Sequence, residues 1–416
     1  MLKTKAESYR TESIGEQNLT ISHRDLYNQE KAGSGEANAD AFLENMPDIV
    51  CFSHLRWDFV YQRPQHLLSR FAKFGRLFFV EEPVYDGATT PYLQVADRPG
   101  GVQVVLPHLP HGLSAPQTEA IQKELLDAFF KEQNLQSYLF WYYTPMAMSF
   151  TAQFNPVLTV YDCMDELSAF KFAPARLKEL EEQLFKKADL VFTGGQSLYE
   201  AKQAQHQQVY AFPSSIDKAH FAQAKQTQEA PADQAQIPHP RIGFFGVIDE
   251  RMDLDLLAAV ATAMPAWHLV IVGPVVKIDP ALLPQNENIH YLGSKSYQEL
   301  PAYVSGWDVA MLPFAINEST KFISPTKTPE YLAAGKPVVS TPIRDVVRPY
   351  GDAKLVHIAL GPDAFIAATE EALLQAEDAK WQSEVEAFLA DMSWDQTWRR
   401  MVELMSKALH QNEKKA

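Results

Sequence analysis

The sequence predicts an α/β protein built from two Rossmann-like domains, each with a doubly wound parallel sheet. Short runs of apolar, β-branched and aromatic residues, typical of buried strands, alternate with stretches of helical periodicity along most of the chain. The alternation stops at residues 223–240, which are rich in Gln, Ala, Asp and Pro, and then starts again. A chain of 416 residues is long enough for two or three domains with separate cores.

The first 45 residues are polar and charged and carry few aromatic side chains, which predicts a disordered leader with at most a short helix. Residues 46–222 form the predicted N-terminal domain. Its predicted helices cover residues 65–73, 117–132, 174–187 and 198–205. Its predicted strands cover residues 48–53, 76–80, 102–106, 138–142, 158–161, 189–193 and 208–212. Strands that alternate with helices in this way indicate a parallel sheet.

Residues 223–240 are the predicted linker, or the entry to the second domain, and residues 241–380 the predicted C-terminal domain. An amphipathic region, residues 381–416, closes the chain. In the second domain the predicted helices cover residues 252–263, 297–304, 327–334 and 362–377. The predicted strands there cover residues 241–246, 268–273, 289–293, 309–313, 338–341 and 354–358. Ligands of such sheets bind beyond the carboxyl ends of the strands, so two facing domains predict an interdomain cleft as the site.

The composition narrows the class of protein. A formal net charge of −15 argues against nucleic-acid binding, since phosphate backbones require a basic surface. Cys51 and Cys163 lie in or just after apolar runs without metal-ligand spacing, which is typical of buried free thiols in a reducing compartment. No apolar run is long enough to span a bilayer, and the N-terminus has no apolar signal core. We therefore expect a cytoplasmic protein, with peripheral contact to the inner face of the plasma membrane left open.

The segment of residues 324–341 carries the strongest chemical signal. It predicts a helix capped by Thr326 and ended by Gly335, followed by a buried strand. Lys327 and Glu330 lie about one helical turn apart, close to the spacing between the diphosphate and the ribose diol of a nucleotide. A cation at a helix N-terminus suits phosphate, and a carboxylate can accept both ribose hydroxyls. The alternative is an ordinary surface Lys–Glu pair.

Four segments, in this order along the chain, resemble those of the GT-B glycosyltransferases of group 1, a family-four-like set, in the variant found among envelope-polysaccharide enzymes. They are residues 188–198, residues 212–217 with Phe221, residues 330–339 and residues 393–395. The resemblance implies a hexosyltransferase-type enzyme that moves a sugar from a nucleotide diphosphate sugar to a glycan or lipid-linked glycan acceptor. It places the donor on the second domain and the acceptor on the first, and it implies that the last helices cross back toward the first domain.

The sequence departs from that family at three places. Phe322 stands eight positions before Glu330, near the place where the family has the first of two glutamates, and the run of residues 324–327 replaces it. Residues 56–63 replace the Gly-Gly loop of the first domain, and no histidine follows the strand ending at Tyr161. The contact to the donor sugar that the first glutamate would make is therefore unassigned.

The candidate donor ligands follow from the segment and from the resemblance. No Asp-x-Asp motif stands at a strand end, so we expect no cofactor and no metal, and cations with oriented amides stabilising the departing diphosphate. Tyr297 could stack on the base, although a core or surface tyrosine is an equal alternative. The donor candidates are Glu330, Lys327, Thr326, Ser324, Arg251, Gly246 and Tyr297.

The candidates on the first domain stand at strand ends that face the predicted cleft. Asp162, Asp165 and His54 are the catalytic candidates, since a carboxylate or imidazole there could deprotonate an acceptor hydroxyl. Helix capping by Asp165 and a structural hydrogen bond of His54 are the alternatives. The acceptor-side candidates are Arg56, Trp57 and Arg63.

Two other functions fit the same features. A GT-B sugar-nucleotide epimerase would turn over a donor without any acceptor, and a catalytically silent partner of a glycan-synthesis complex would only bind one. An oxidoreductase is disfavoured, because no Gly-x-Gly-x-x-Gly follows a first strand.

Overall fold

The computed structural model describes residues 35–171, 173–226 and 229–414, so residues 1–34 of the predicted leader lie outside the described part. The strands are β1 (Asp48–Ser53), β2 (Leu77–Glu81), β3 (Val84–Tyr85), β4 (Tyr92–Arg98), β5 (Val102–Leu109), β6 (Tyr138–Tyr142), β7 (Leu158–Cys163), β8 (Leu190–Thr193), β9 (Val209–Ala211), β10 (Arg241–Phe245), β11 (His268–Val272), β12 (Ile289–Tyr291), β13 (Val309–Leu312), β14 (Val338–Ser340) and β15 (Val356–Ile358).

The helices separate these strands along most of the chain. They are α1 (Gly35–Glu44), α2 (Arg63–Phe71), α3 (Ala115–Glu132), α4 (Met148–Thr151), α5 (Leu177–Lys187), α6 (Gln196–Lys202), α7 (Lys218–Ala222), α8 (Leu254–Ala263), α9 (Leu300–Ser305), α10 (Lys327–Ala333), α11 (Arg344–Val346), α12 (Pro362–Gln375), α13 (Ala379–Leu389) and α14 (Trp394–Glu413). No helix in the described residues is long and apolar enough to cross a membrane.

The first sheet has the strand order β3-β5-β2-β1-β6-β7-β8-β9, with β4 beside β5. All neighbours are parallel except β4 and β5, which form an antiparallel hairpin that the sequence did not predict. The residues of β4 alternate between half-buried and exposed and include no continuous apolar run, so the strand signal is weak there. The central strands are buried on both faces, which explains their uninterrupted apolar sequences.

The second sheet has the order β12-β11-β10-β13-β14-β15, and all of its strands are parallel. In both sheets the strand order reverses beside the first strand of the domain, β1 or β10. Open α/β sheets bind ligands at this switch point, beyond the carboxyl ends of the strands. The predicted two-domain α/β architecture is confirmed.

The C-terminal helices contact different domains. Trp381, Val385 and Leu389 of α13 are buried in the core of the second domain. Trp394 and Met401 of α14 are buried in the core of the first. The Ser393 hydroxyl accepts the N–H of Gln396 at 3.2 Å and so caps α14 where the chain crosses between the domains.

The predicted leader and linker both need correction. Residues 35–44 form α1, whose Ala39, Phe42 and Leu43 are buried in the core of the first domain, so the prediction of disorder up to residue 45 is wrong. These three side chains repeat at helical spacing and provide the apolar face that the helix buries. Part of the predicted linker is the entry to the second domain. The indole N–H of Trp307 donates a hydrogen bond to the side-chain oxygen of buried Gln234 at 3.0 Å.

Candidate active site

Gly246 lets the side chain of Lys327 approach the backbone at the end of β10. Its φ is +141°, and a Cβ placed on it would lie 2.2 Å from Lys327 Cε and 2.8 Å from Lys327 Nζ. Only glycine permits that backbone conformation and that contact together. Lys327 Nζ also lies 5.6 Å from the centre of the Phe244 ring. The glycine turn and the first residue of α10 thus form one surface at the strand end.

Lys327 and Glu330 are two charges in the interior of the site. Glu330 is only 6% exposed and Lys327 is half-buried. Within the described residues neither side chain has a hydrogen bond, and no carboxylate lies within 4.0 Å of Lys327 Nζ. Burial raises the pKa of Glu330 and lowers the pKa of Lys327, and each charge partly offsets the effect of burial on the other. The alternative of a surface Lys–Glu pair is therefore wrong.

The residues before α10 differ from the prediction. Thr326 has helical backbone angles and makes no side-chain bond to the helix start, so it does not act as the predicted N-cap. Ser324 lies against the first domain, since a Cβ on Gly195 would come within 2.7 Å of Ser324 Cβ. Both residues still precede Lys327 on the same loop.

Arg251 lies across the cleft from a loop of the first domain. Asp249 binds its guanidinium, with 2.7 Å between Arg251 Nη2 and Asp249 Oδ2. The guanidinium carbon lies 5.6 Å from the centre of the Phe170 ring, and Lys277 Nζ lies 5.5 Å from the same ring. Phe170 follows β7 and belongs to the first domain, so two cations of the second domain contact one aromatic ring of the first.

Tyr297 is not open to a nucleobase. His220 stacks on its ring at 4.2 Å and 12°, and Tyr61 stacks on it at 4.7 Å and 30°. His66 contacts the same ring edge-on and stacks in turn on Trp394. A base would have to displace one of these rings. We therefore correct the predicted role of Tyr297, which joins the two domains and the C-terminal helix.

Asp162 is also corrected, since a general base needs access to the acceptor. Its carboxylate is fully buried and binds Arg63 through Nη2 at 2.8 Å and through Nε at 3.0 Å. Arg63 Nη1 donates to the carbonyl of Phe212 at 2.6 Å. The guanidinium is itself 1% exposed, so it is not available to an acceptor either. The two candidates form one buried ion pair between β7 and the start of α2.

Asp165 is the carboxylate that faces the second domain. It is half-buried, and burial raises its pKa, while Arg251, Arg63 and Lys327 favour the ionised form. The neighbouring Glu166 holds this loop through Lys202 Nζ at 2.8 Å. Asp165 therefore lies among cations from both domains, which oppose the effect of burial on its pKa.

His54 follows β1 on the same side of the cleft. Its Nδ1 lies 3.2 Å from the carbonyl oxygen of Tyr143, which assigns the ring proton to Nδ1 and leaves Nε2 as an acceptor. Burial lowers the pKa of His54 to about 4. The imidazole is therefore neutral at pH 7 and a weaker base than a free histidine.

The side chains of the remaining acceptor-side candidates, Arg56 and Trp57, contact other residues of the first domain. Arg56 Nη1 donates to Glu81 Oε2 at 2.9 Å and to the Glu82 carbonyl at 2.6 Å. Trp57 is 8% exposed and packs edge-on against Phe79 at 5.0 Å, so the prediction that it lines the acceptor site is wrong. Its position in the core follows from its place after an apolar strand.

The comparisons with known proteins match the second domain to a family of glycosyltransferases. Residues 239–375, which contain the six strands of the second sheet, match the family model described as glycosyl transferases group 1. The chain is also similar to TuaH of Bacillus subtilis, a glycosyltransferase named for teichuronic acid biosynthesis. The two are 23% identical over 283 residues, which cover 63% of this chain and 70% of the relative. The second domain therefore matches the glycosyl transferases group 1 family, and the chain as a whole is similar to a glycosyltransferase.

Solved structures show the GT-B fold of this chain. Sucrose-phosphate synthase from Thermosynechococcus elongatus superposes with a TM-score of 0.62 at 14% identity, covering 86% of this chain and 98% of the other. WaaG, a glycosyltransferase of lipopolysaccharide biosynthesis, superposes with a TM-score of 0.57 at 12% identity, covering 86% and 99%. The GT-B fold inferred from four sequence segments is confirmed.

Four residues at the contacts between the two domains are not among the functional candidates that the sequence predicts. Phe322, at the place of the absent glutamate, is half-buried and packs against the hydrophobic core of the first domain. Phe170, Lys277 and Asp345 also lie at contacts between the domains. Each stands in a loop or, for Asp345, in the three-residue helix α11, and its partner lies in the other domain, so no local pattern marks it. Across the residues that the structure describes, no group of three or more His, Cys, Asp or Glu could hold a metal ion.

Proposed function

We propose that this glycosyltransferase takes a hexose from a nucleotide diphosphate sugar and transfers it, without a metal ion, to a glycan or lipid-linked glycan acceptor. Lys327 and Glu330 carry the proposal. Holding the Lys327 ammonium and the Glu330 carboxylate in the interior without hydrogen-bonded partners costs folding free energy. The pair fits a ligand that offers an anion to Lys327 and hydroxyl groups to Glu330. A nucleotide with a ribose diol and a diphosphate supplies both.

The proposed reaction breaks the bond between the anomeric carbon and the diphosphate oxygen and forms a bond from that carbon to the acceptor oxygen. The electrons of the broken bond leave with the diphosphate. Lys327 and Arg251 stabilise the resulting charge, which is the part that metal ions play in other transferases. Asp165 or neutral His54 takes the proton of the acceptor hydroxyl.

Several relatives support the donor and acceptor classes. Trehalose-6-phosphate protein from E. coli, with a TM-score of 0.62 and 12% identity, was solved with UDP-2-fluoro glucose. HepE of Anabaena, with a TM-score of 0.56 and 12% identity, was solved with UDP and glucose. TuaH and WaaG are named for teichuronic acid and lipopolysaccharide biosynthesis. Uridine diphosphate is accordingly the first probe, and an envelope polysaccharide the first acceptor class.

The two cysteines support the proposal that the enzyme works in the cytoplasm. Cys51 and Cys163 are both free and buried, which suits a reducing compartment.

Titration calorimetry with UDP tests the donor site. Lys327→Met and Glu330→Gln should each weaken UDP binding by about 10- to 100-fold, the loss expected when a charge-assisted hydrogen bond of about 1.5–3 kcal/mol is removed. The chain offers a matched control pair with the same spacing, Glu318 and Lys321, which is exposed at 83% and 57% and lies nearby on the loop before α10. Lys321→Met and Glu318→Gln should leave the affinity unchanged.

Equal UDP affinity in wild type and in both site variants would contradict the proposed donor site. The metal-independent part is checked separately, because release of UDP from a UDP-sugar should continue at the same rate after EDTA treatment. Loss of turnover in EDTA, restored by Mg²⁺ or Mn²⁺, would show that a metal takes part.

A further inference from the structure

A turn of the first domain makes a close contact with the second domain beside the donor loop. The turn is residues 194–197, which follow β8 and include the first two residues of α6. The backbone N–H of Ser197 donates to Asp345 Oδ1 at 3.0 Å across the domain boundary. Asp345 is 5% exposed and Ser197 3%, so the bond lies inside the interface rather than at its rim. The proposed reaction uses neither residue.

Gly195 fits this contact because it has no side chain. A Cβ placed on Gly195 would lie 2.2 Å from Asp345 Oδ2 and 2.7 Å from Ser324 Cβ, and both atoms belong to the second domain. The φ of Gly195 is −168°, which any residue can adopt, so the close approach alone requires glycine here. Gly194 contrasts with it, because a Cβ there would meet the Met164 carbonyl of its own domain at 2.3 Å.

The same interface includes the donor loop. Ser324 touches Gly195 and stands three residues before Lys327. Phe322, two residues further back, packs on the core of the first domain. Arg344, next to Asp345, adds an ion pair to Glu200 of α6 with 2.5 Å between Arg344 Nη2 and Glu200 Oε2. The loop that presents the proposed donor lysine is therefore held from the first domain.

We propose that Asp345 is a positioning residue for glycosyl transfer: with Ser324 it receives the Gly195 turn when the domains are closed, and this fixes the loop that carries Lys327. The inference rests on the proposed donor site of Lys327. The glycine and the carboxylate work together, because the turn can approach Asp345 only while residue 195 lacks a Cβ.

The contact between the Gly195 turn and Asp345 leaves several buried polar atoms without hydrogen-bond partners. Asp345 Oδ2, the Ser197 hydroxyl and the Gln196 side-chain oxygen are buried without a hydrogen-bond partner among the described residues. Burial also raises the pKa of Asp345 to about 6, against opposing contributions from Ser197 and Arg344. Unpaired buried polar groups oppose closure. Binding of the donor offsets this cost, because it gives Lys327 and Glu330 their partners. Donor binding thus favours the closed arrangement.

Substitutions at Gly195 test the interface without disturbing a domain core. Gly195→Ala should raise the Kd for UDP and the KM for the UDP-sugar at least about 10-fold and increase the radius of gyration in small-angle scattering. Its unfolding midpoint should stay within a degree or two of wild type. Gly194→Ala is the contrast, because its clash within the first domain should lower the unfolding midpoint.

Two substitutions of Asp345 separate hydrogen bonding from mere packing. Asp345→Asn keeps an oxygen that accepts the Ser197 N–H and should bind UDP within about threefold of wild type. Asp345→Leu has similar size without an acceptor and should weaken UDP binding about 10-fold. Asp352→Leu, at a carboxylate that is 64% exposed and beyond α11, is the surface control and should change nothing.

The proposal is overturned if Gly195→Ala leaves both the UDP affinity and the radius of gyration unchanged, or if Asp345→Asn and Asp345→Leu behave alike. Failure of the donor assignment itself gives a different result, because wild type would then not bind UDP. In that case the ligand-free radius of gyration of Gly195→Ala still decides whether the turn holds the domains together.

Discussion

The reassignment of Asp162 from base to structural partner makes a quantitative prediction. Arg63→Met removes the guanidinium and leaves the Asp162 carboxylate buried without its three contacts from Arg63, at 2.8, 3.0 and 3.1 Å. Both side chains are at most 2% exposed, so water cannot replace the lost partner. Breaking a fully buried ion pair costs about 3–5 kcal/mol. We expect the urea midpoint to fall accordingly.

The direction of the pH dependence follows from the same pair. Burial already raises the pKa of Asp162, and Arg63 opposes that rise. Without Arg63 the pKa of Asp162 in the folded state lies still further above its unfolded value. The loss of stability is therefore full above that raised pKa and shrinks as the pH falls through it. Urea unfolding of wild type and Arg63→Met between pH 8 and pH 5 should show the two curves converge.

Control variants separate the loss of stability in Arg63→Met from the effect of removing an exposed arginine. Arg176 makes an ion pair of similar length with Glu119, 2.7 Å between Arg176 Nη1 and Glu119 Oε1, but it is 50% exposed. Arg176→Met should cost at most about 1 kcal/mol. The double variant Arg63→Met/Asp162→Leu should recover part of the loss, because no charge remains buried. Unchanged stability in Arg63→Met, with loss of turnover in Asp162→Asn alone, would refute the reasoning and restore Asp162 as a base.

Three further predictions concern other parts of the chain. UDP affinity should fall as the pH rises through the lowered pKa of Lys327, since only the protonated amine binds diphosphate, and Lys327→Arg should remove the decline in calorimetry between pH 6 and pH 10. Gly243→Ala should lower the unfolding midpoint strongly, because its Cβ would meet Trp307 Cδ2 at 1.9 Å in the core of the second domain. Lys202→Met should cost about 3 kcal/mol in urea unfolding, since it removes the cation 2.8 Å from buried Glu181 and leaves that carboxylate with neutral partners such as the Tyr161 hydroxyl.

Strands were predictable because their signal is local. Each central strand is buried on both faces and therefore consists of a continuous apolar run, as in residues 138–142. The exposed β4 has no such run and was missed. Lys327 and Glu330 were predictable as a pair, since helical spacing alone sets their separation. Their burial was not, because Gly246 and the Phe244 ring, which contribute to it, stand more than 80 residues earlier.

The errors at the site share one physical cause. A sequence position shows the residue type and the strand end, but not what satisfies its charge. The strand-end position of Asp162 predicts a base, but its partner Arg63 is 99 residues away in sequence. The position of Tyr297 predicts a stacking platform, but its ring contacts come from the loop after β1 and from α7. Long-range partners decide whether a polar or aromatic residue is available to a ligand.

The charge distribution is compatible with the anionic donor proposed for this acidic protein. The net charge of −15 is spread over the whole chain, and at physiological ionic strength charges more than about 8 Å apart at the surface are largely screened. Lys327 and Arg251 act inside the cleft, where screening is weak, and Asp165 faces both of them. A diphosphate bound between these groups would meet local cations rather than the mean charge of the surface. The same surface disfavours long polyanions such as nucleic acids, whose phosphates would extend beyond the cleft.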